Sequence, residues 1–209
     1  RKDLVAEYKT IIPPWYAGQC PLMEADRLII ATGGNALLVA LDKKTGNVIW
    51  QTPNPDAQAM SHASVMPAQI GGVKQYLYAT LKNIMGVSAA DGKLLWSFPW
   101  KFNMAIATSP LAIGDGRVFM TSGYESEAVM LRVKMEGGKF TAEKVFSMPA
   151  KEWNSEVHTP ILFENHMFAV GRLERGLFTC LTLDGKQMWT SRDKATFDLV
   201  GAGKAQLIS

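Results

Sequence analysis

Ala40-Leu41-Asp42-Lys43-Lys44-Thr45-Gly46-Asn47-Val48-Ile49-Trp50 reads as a short apolar strand, a turn and a second strand closed by tryptophan. The same pattern returns as Ser88-Ala89-Ala90-Asp91-Gly92-Lys93-Leu94-Leu95-Trp96 and as Leu181-Thr182-Leu183-Asp184-Gly185-Lys186-Gln187-Met188-Trp189. A degenerate copy runs from Leu131 to Phe146, with Gly137-Gly138 as its turn and Phe146 in place of the tryptophan. The closing aromatics at 50, 96, 146 and 189 lie 43 to 50 residues apart. A fixed period of that length marks a repeat architecture, and it suits one four-stranded propeller blade per copy.

A second hairpin precedes each of these. Cys20-Pro21-Leu22, Ser64-Val65-Met66, Ser109-Pro110-Leu111 and Thr159-Pro160-Ile161 each open an apolar strand. Turns follow at Glu24–Asp26, Gly71-Gly72, Gly114–Gly116 and Glu164-Asn165, and then a further strand. Gly-Gly and Asp-Gly between apolar runs favour tight hairpins. Proline at the head of a first strand falls where the ladder begins, so its missing N–H costs little. No segment carries a sustained helical period. The fold class is therefore all-β, a propeller of four-stranded antiparallel blades. The blades are expected at about 15–51, 60–98, 105–148 and 157–191, with the start of a further blade at 199–209.

Composition sets the outer limits. Of 209 residues, 47% are hydrophobic and 20% charged, as in an ordinary globular protein. Twenty-two basic and 19 acidic residues leave a net charge of +3 with no basic stripe, so nucleic acid is not the expected partner. Apolar runs such as Leu37–Leu41 are too short to span a bilayer. The chain starts Arg-Lys-Asp with no apolar leader, so either a signal peptide has been removed or earlier residues are absent. Cys20 and Cys180 are expected as free buried thiols, and no Cys/His cluster has zinc spacing.

The pattern Ala-Leu-Asp-x-x-Thr-Gly-x-x-x-Trp over residues 33–50, 86–96 and 176–189 resembles the tryptophan-docking repeat of the quinoprotein-like (PQQ-like) β-propeller family. That family includes quinoprotein alcohol dehydrogenases and non-enzymatic relatives such as the outer-membrane barrel-assembly lipoprotein. The resemblance implies structural roles for Asp42, Gly46, Trp50, Asp91, Gly92, Trp96, Asp184, Gly185 and Trp189: carboxylates and glycines that shape turns, and tryptophans wedged between neighbouring blades. It also implies a ring of seven or eight blades, completed by residues outside this chain or by a second copy, and a periplasmic or otherwise exported location.

In a propeller, the segments leading into the first strands face the central channel. Here they are Pro13–Gln19, Met60–Ser64, Met104–Ser109 and Trp153–Thr159. Their candidate ligand-binding residues are Trp15, Tyr16, His62, Asn103 just upstream of the third segment, Glu156 and His158. The aromatics suit stacking or the covering of a channel rim. The histidines suit hydrogen-bonded structure or a titrating site. His166, on a second strand, reads as packing. No catalytic or metal-ligating residue is assigned.

Three functional readings remain open at this level. The first is a scaffold of an exported bacterial protein that binds a protein partner or small molecule at the channel face. The second is part of a dehydrogenase dependent on pyrroloquinoline quinone, which the resemblance would place beside Ca²⁺ with a catalytic Asp and an adjacent-cysteine disulfide. The sequence has no Cys-Cys pair and no evident Ca²⁺ loop, so no catalytic residue carries over. The third is a structural propeller attached to a cytochrome or other enzyme domain.

Overall fold

A computed structural model describes residues 1–171 and 177–191. The segment 199–209, expected to open a further blade, lies outside the described residues. Among the described residues, sixteen strands form four antiparallel sheets of four strands, each in the order of the chain except for its direction of counting. Blade 1 holds β1 (Leu22–Glu24), β2 (Arg27–Ala31), β3 (Ala36–Asp42) and β4 (Val48–Pro53). Blade 2 holds β5 (Met66–Ile70), β6 (Val73–Ala79), β7 (Asn83–Ser88) and β8 (Leu94–Pro99). Blade 3 holds β9 (Leu111–Ala112), β10 (Arg117–Met120), β11 (Ala128–Glu136) and β12 (Lys139–Met148). Blade 4 holds β13 (Ile161–Phe163), β14 (His166–Val170), β15 (Phe178–Thr182) and β16 (Gln187–Thr190). The chain is a partial β-propeller.

The middle strands explain the apolar runs. In β3, all residues from Ala36 to Leu41 are buried, and in β7 all from Ile84 to Ser88. A strand covered on both faces needs no polar alternation. The outermost strands alternate instead, as in Val48–Pro53, because one face meets solvent. One apolar core runs through blades 1 to 3, and a second joins blades 3 and 4 through Phe119, Met130, Trp153, Met167 and Leu181.

A β-bulge recurs in the outer hairpin of every blade. Ala40 pairs with Trp50 but Leu41 with Val48; Gly86 pairs with Trp96 but Val87 with Leu94. Met130 and Phe146, then Leu131 and Lys144, repeat this, as do Cys180 and Trp189, then Leu181 and Gln187. The extra residue (Ile49, Leu95, Val145 or Met188) bends the strand just before the closing aromatic and so aims that ring. The degenerate third copy keeps the bulge and its aromatic although its turn sequence has drifted.

Two sequence expectations change. The carboxylates do not occupy one shared turn position. The register pairs Arg27 with Asp42, Gln75 with Ser88 and His166 with Thr182, so the turn-start residues are Asp42, Ser88 and Thr182. Asp42 Oδ1 accepts from the backbone N–H of Lys44 at 3.0 Å and Thr45 at 2.7 Å, and from the Thr45 hydroxyl at 2.9 Å. Those bonds, led by the Thr45 N–H, hold its carboxyl below the usual range. In blade 4 the Thr182 hydroxyl accepts from Lys186 N–H at 3.1 Å, which does the same work in a turn one residue shorter. Asp91 and Asp184 sit directly before the turn glycines, and Asp91 accepts from Lys93 N–H at 3.2 Å. The sequence pattern places Asp42, Asp91 and Asp184 at turn starts, whereas the backbone aligns the Ser88 and Thr182 hydroxyls with the Asp42 carboxylate because either oxygen can cap the turn.

The thiols differ as well. Both cysteines are free and Cys180 is buried, but Cys20 is exposed, because it precedes β1 rather than lying within it. At the N-terminus, α1 (Leu4–Tyr8) is capped by Asp3, whose carboxylate accepts from Ala6 N–H at 3.0 Å. Tyr8 is buried against Ile30, Ala36, Val39 and Leu41 of blade 1. At five residues this helix is too short to leave a periodic signal.

Candidate functional site

The segments leading into the blades are tied edge to edge. Cys20 N–H donates to Ser64 Oγ at 2.9 Å, Ser64 N–H to Ser109 Oγ at 3.0 Å, and Ser109 N–H to Thr159 Oγ1 at 2.8 Å. These are the residues that open the four first strands. A hydroxyl there serves the preceding blade's backbone, so the belt fixes the spacing of the lead-in loops above it.

On those loops the structure links most of the sequence candidates. Trp15 and Tyr16 are consecutive residues in the left-handed region, at φ 63° and 67°. They stand 65% and 80% exposed. His62 Nε2 lies 2.7 Å from the Pro14 carbonyl, which can only accept, so the ring carries a proton on Nε2. The same ring packs on Gly18, where a Cβ would stand 3.3 Å from His62 Cδ2. His62 thus clamps the Pro13–Gly18 loop, as a hydrogen-bonded structural histidine would. Trp15 reaches across it to Tyr124 on blade 3, the rings parallel within 8° with centroids 6.5 Å apart.

Tyr124 was not among the sequence candidates. It sits in the β10–β11 loop with Glu125, both left-handed at φ 55° and 62°. Asn103 Nδ2 donates to the Tyr124 carbonyl at 2.9 Å, and Asn103 N–H to Ser126 Oγ at 3.1 Å, so Asn103 positions this loop from below. Glu156 packs on Gly123, where a Cβ would fall 2.3 Å from Glu156 Cγ. His158 joins through its backbone, its carbonyl accepting from Ser155 Oγ at 2.7 Å. The loop glycine-tyrosine pair at 123–124 stands where Gly33-Gly34 stand in blade 1, a correspondence that follows from the registers of β2–β3 and β10–β11.

The structural residues of the repeat also find their places. Trp50 packs on the next blade: its Nε1–H donates to Ala89 O at 3.3 Å, and its ring lies 6.0 Å from that of Tyr76. Trp96 packs within its own blade, over Gly86, with Nε1–H donating to Gln75 Oε1 at 2.7 Å. Trp189 lies among Phe168 and Phe178 of its own blade, with centroids 6.1 and 5.8 Å away. The expectation of an interblade wedge describes Trp50; the hydrogen bond of Trp96 and the ring contacts of Trp189 just given lie within their own blades, while Trp96 also belongs to the apolar core shared with blade 3. Gly46 turns the blade 1 hairpin at φ 74°.

A family model for PQQ-like repeats, described as outer membrane protein assembly factor BamB, matches residues 1–191. The chain belongs to that family. No curated protein is similar enough to the chain to match it. Among the described residues of this BamB-family chain, no helix is long and apolar enough to cross a membrane.

The quinone implied by the family resemblance can be tested against these residues. Pyrroloquinoline quinone carries three carboxylates and is commonly held beside Ca²⁺. The candidate residues described above are Trp15, Tyr16, His62, Asn103, Tyr124 and Glu156, and the Glu156 carboxylate would oppose the quinone's own. Among the described residues no three His, Cys, Asp or Glu side chains gather to hold a metal ion. These residues do not fit the group, and no step is derived through it.

Proposed function

We propose that this chain is a non-catalytic propeller module of outer-membrane protein assembly, exported to the periplasm, where it holds a polypeptide partner over its channel-face loops. The observation that carries this reading is the pair of loops at 15–16 and 124–125. Each places two consecutive non-glycine residues at positive φ. Such residues cost about 1–3 kcal/mol each and cluster at binding sites. The strain buys presentation of large aromatics: Trp15 and Tyr16 are exposed, and Met104 beside Asn103 is 54% exposed. Rigid exposed aromatics are the usual anchors of protein interfaces. The family description supports assembly as the setting.

The test is the yield of assembled outer-membrane protein in cells that carry the Trp15→Ala, Tyr16→Ala double variant. A several-fold loss with the variant present at normal level in the periplasmic fraction is expected. Normal assembly with a folded variant would remove the reading. The parallel Trp15–Tyr124 pair favours one second reading, a planar small ligand at the same rim. Quenching of Trp15 fluorescence by such a ligand, with assembly unaffected, would select it.

A further inference from the structure

The loop that carries Trp15 and Tyr16 has a composition that narrows what it can hold. From Thr10 to Met23 the chain has no acidic, basic or histidine side chain, and most of that run is exposed. Both ends of the loop are pinned to the β2–β3 hairpin. Asn35 N–H donates to Tyr8 O at 2.8 Å, and the Gln19 amide brackets Ala31, donating to its carbonyl at 2.7 Å and accepting from its N–H at 3.0 Å. A surface loop closed in this way is a compact Ω-loop. Its inner carbonyls are taken: Pro13 O accepts from Tyr16 N–H at 3.1 Å, and Pro14 O accepts from His62. Pro13 and Pro14 have no N–H to give. What faces outward is mainly apolar, with Ile11 64% and Ile12 53% exposed on the same loop as Trp15 and Tyr16.

This apolar surface is elongated. It starts on the arm of blade 1 at Ile11, crosses blade 2 where Trp15 meets His62, and ends on blade 3, where Tyr124 stacks on Trp15 and Met104 follows the Asn103 that holds the Tyr124 loop. Lys9 and Glu125, of opposite sign, stand at its two borders. A charged partner segment would lose hydration on this surface and find no counter-charge within the run, whereas an uncharged one gains from burial. An extended chain turns alternate side chains to one side, so a row of apolar groups suits apolar side chains at every second position. A bilayer would also accept an uncharged surface, but it imposes no ring geometry. The left-handed residues at 15 and 16 and the stack on Tyr124 would serve nothing there, whereas a shaped partner gives contacts that offset such strain.

We propose that the occupant of this surface is an extended, uncharged segment of the partner polypeptide, with apolar or aromatic side chains at alternate positions. The inference rests on the channel-face reading above and names the partner's chemistry. The experiment titrates the full chain into an end-blocked, dye-labelled peptide that alternates tyrosine or valine with serine, and follows fluorescence anisotropy. A second peptide carries glutamate and a third lysine in place of every tyrosine. The neutral peptide is expected to bind with an affinity that added salt does not lower, and both charged peptides about tenfold more weakly. The Trp15→Ala, Tyr16→Ala double variant changes exposed side chains, so its urea midpoint should stay in place while its affinity for the neutral peptide falls about tenfold. Tyr124→Ala, which removes the ring against which Trp15 rests, is expected to weaken binding severalfold. Failure of the neutral peptide to bind, equal or tighter binding of a charged peptide, undiminished binding by the folded variants, or adsorption to phosphatidylcholine vesicles in place of peptide binding would overturn the proposal. Assembly in cells tells the two failures apart: if the double variant loses assembly while any of these results holds, the channel-face reading stands and only the uncharged segment falls.

Discussion

The indole of Trp50 rests on Gly92 of the following blade so closely that a Cβ at Gly92 would stand 2.5 Å from Trp50 Cε3. Phe146 stands over Gly185 in the same way, at 2.7 Å from Cε2. Blade 1 thus seats its closing aromatic on the turn of blade 2, and blade 3 on that of blade 4. Gly92 also needs φ 74°, a conformation that an L side chain resists. Gly92→Ala is therefore expected to cost about 2–4 kcal/mol through strain and overpacking together. Trp50→Ala is expected to cost about 3–5 kcal/mol. In the double variant the Gly92→Ala penalty should shrink to its backbone part, near 1 kcal/mol. Urea midpoints for the cycle check this, and strict additivity would dismiss the contact.

Trp96 is buried within blade 2, and Gln75, which accepts from its Nε1–H, is fully buried too. Trp96→Ala is expected to cost about 3–5 kcal/mol by opening a cavity. Trp96→Phe keeps most of the ring but strands Gln75 Oε1, for an expected cost of about 1–3 kcal/mol. A phenylalanine variant as stable as the parent in urea would show that the hydrogen bond contributes nothing.

The hydroxyl belt makes a local prediction. Ser109→Ala leaves Ser64 N–H without its acceptor, at an expected cost of about 1–2 kcal/mol. Hydrogen exchange at the Ser64 amide should accelerate, and Ser109→Thr should restore protection. Equal protection in the alanine variant would mean that the belt does not hold the blades.

Acid should loosen the joint between blades 1 and 2. Glu24 of blade 1 accepts from Tyr76 Oη at 2.7 Å and pairs with Lys74 Nζ at 2.7 Å, both on blade 2. Burial alone would raise its pKa, but the Lys74 and Tyr76 hydrogen bonds outweigh burial and hold the carboxyl below the usual range. Asp115 is depressed as well, chiefly by the Arg117 hydrogen bond. A folded pKa below the unfolded one gives stability that is complete above the unfolded value, about 4, and lost as pH falls through the folded value. The urea midpoint should hold from neutral pH to about 5 and then decline. Glu24→Gln should lower it at neutral pH and flatten the decline, so that variant and parent converge in acid. Parallel curves would deny Glu24 this role.

Arg27 and Arg117 show how far repetition reached beyond the readable motif. Each starts the second strand of its blade and extends to a carbonyl in the next blade's outer turn: Arg27 Nη1 to Ala89 O at 2.8 Å, Arg117 Nη1 to Leu183 O at 3.4 Å. Two arginines 90 residues apart in unlike surroundings leave no motif, yet equivalent strand positions give them equivalent reach. Tyr124 escaped for a related reason. A loop residue gains its meaning from the ring it meets, and Trp15 lies 109 positions away.

What the sequence determined by itself was local and periodic. Apolar runs, turn glycines and the closing aromatics at 50, 96, 146 and 189 specify four hairpin pairs, because strand period, positive φ and side-chain size act over a few residues. Phe146 could be read as a tryptophan substitute on spacing alone, and it packs as one. Only the tertiary structure decided which glycine lies beneath which ring, and that Ser88 and Thr182 rather than Asp91 and Asp184 match Asp42. Those are relations between atoms far apart in the chain. They are fixed by how bulged, twisted sheets stack around a common axis, and that stacking is set by the packing of all the blades together.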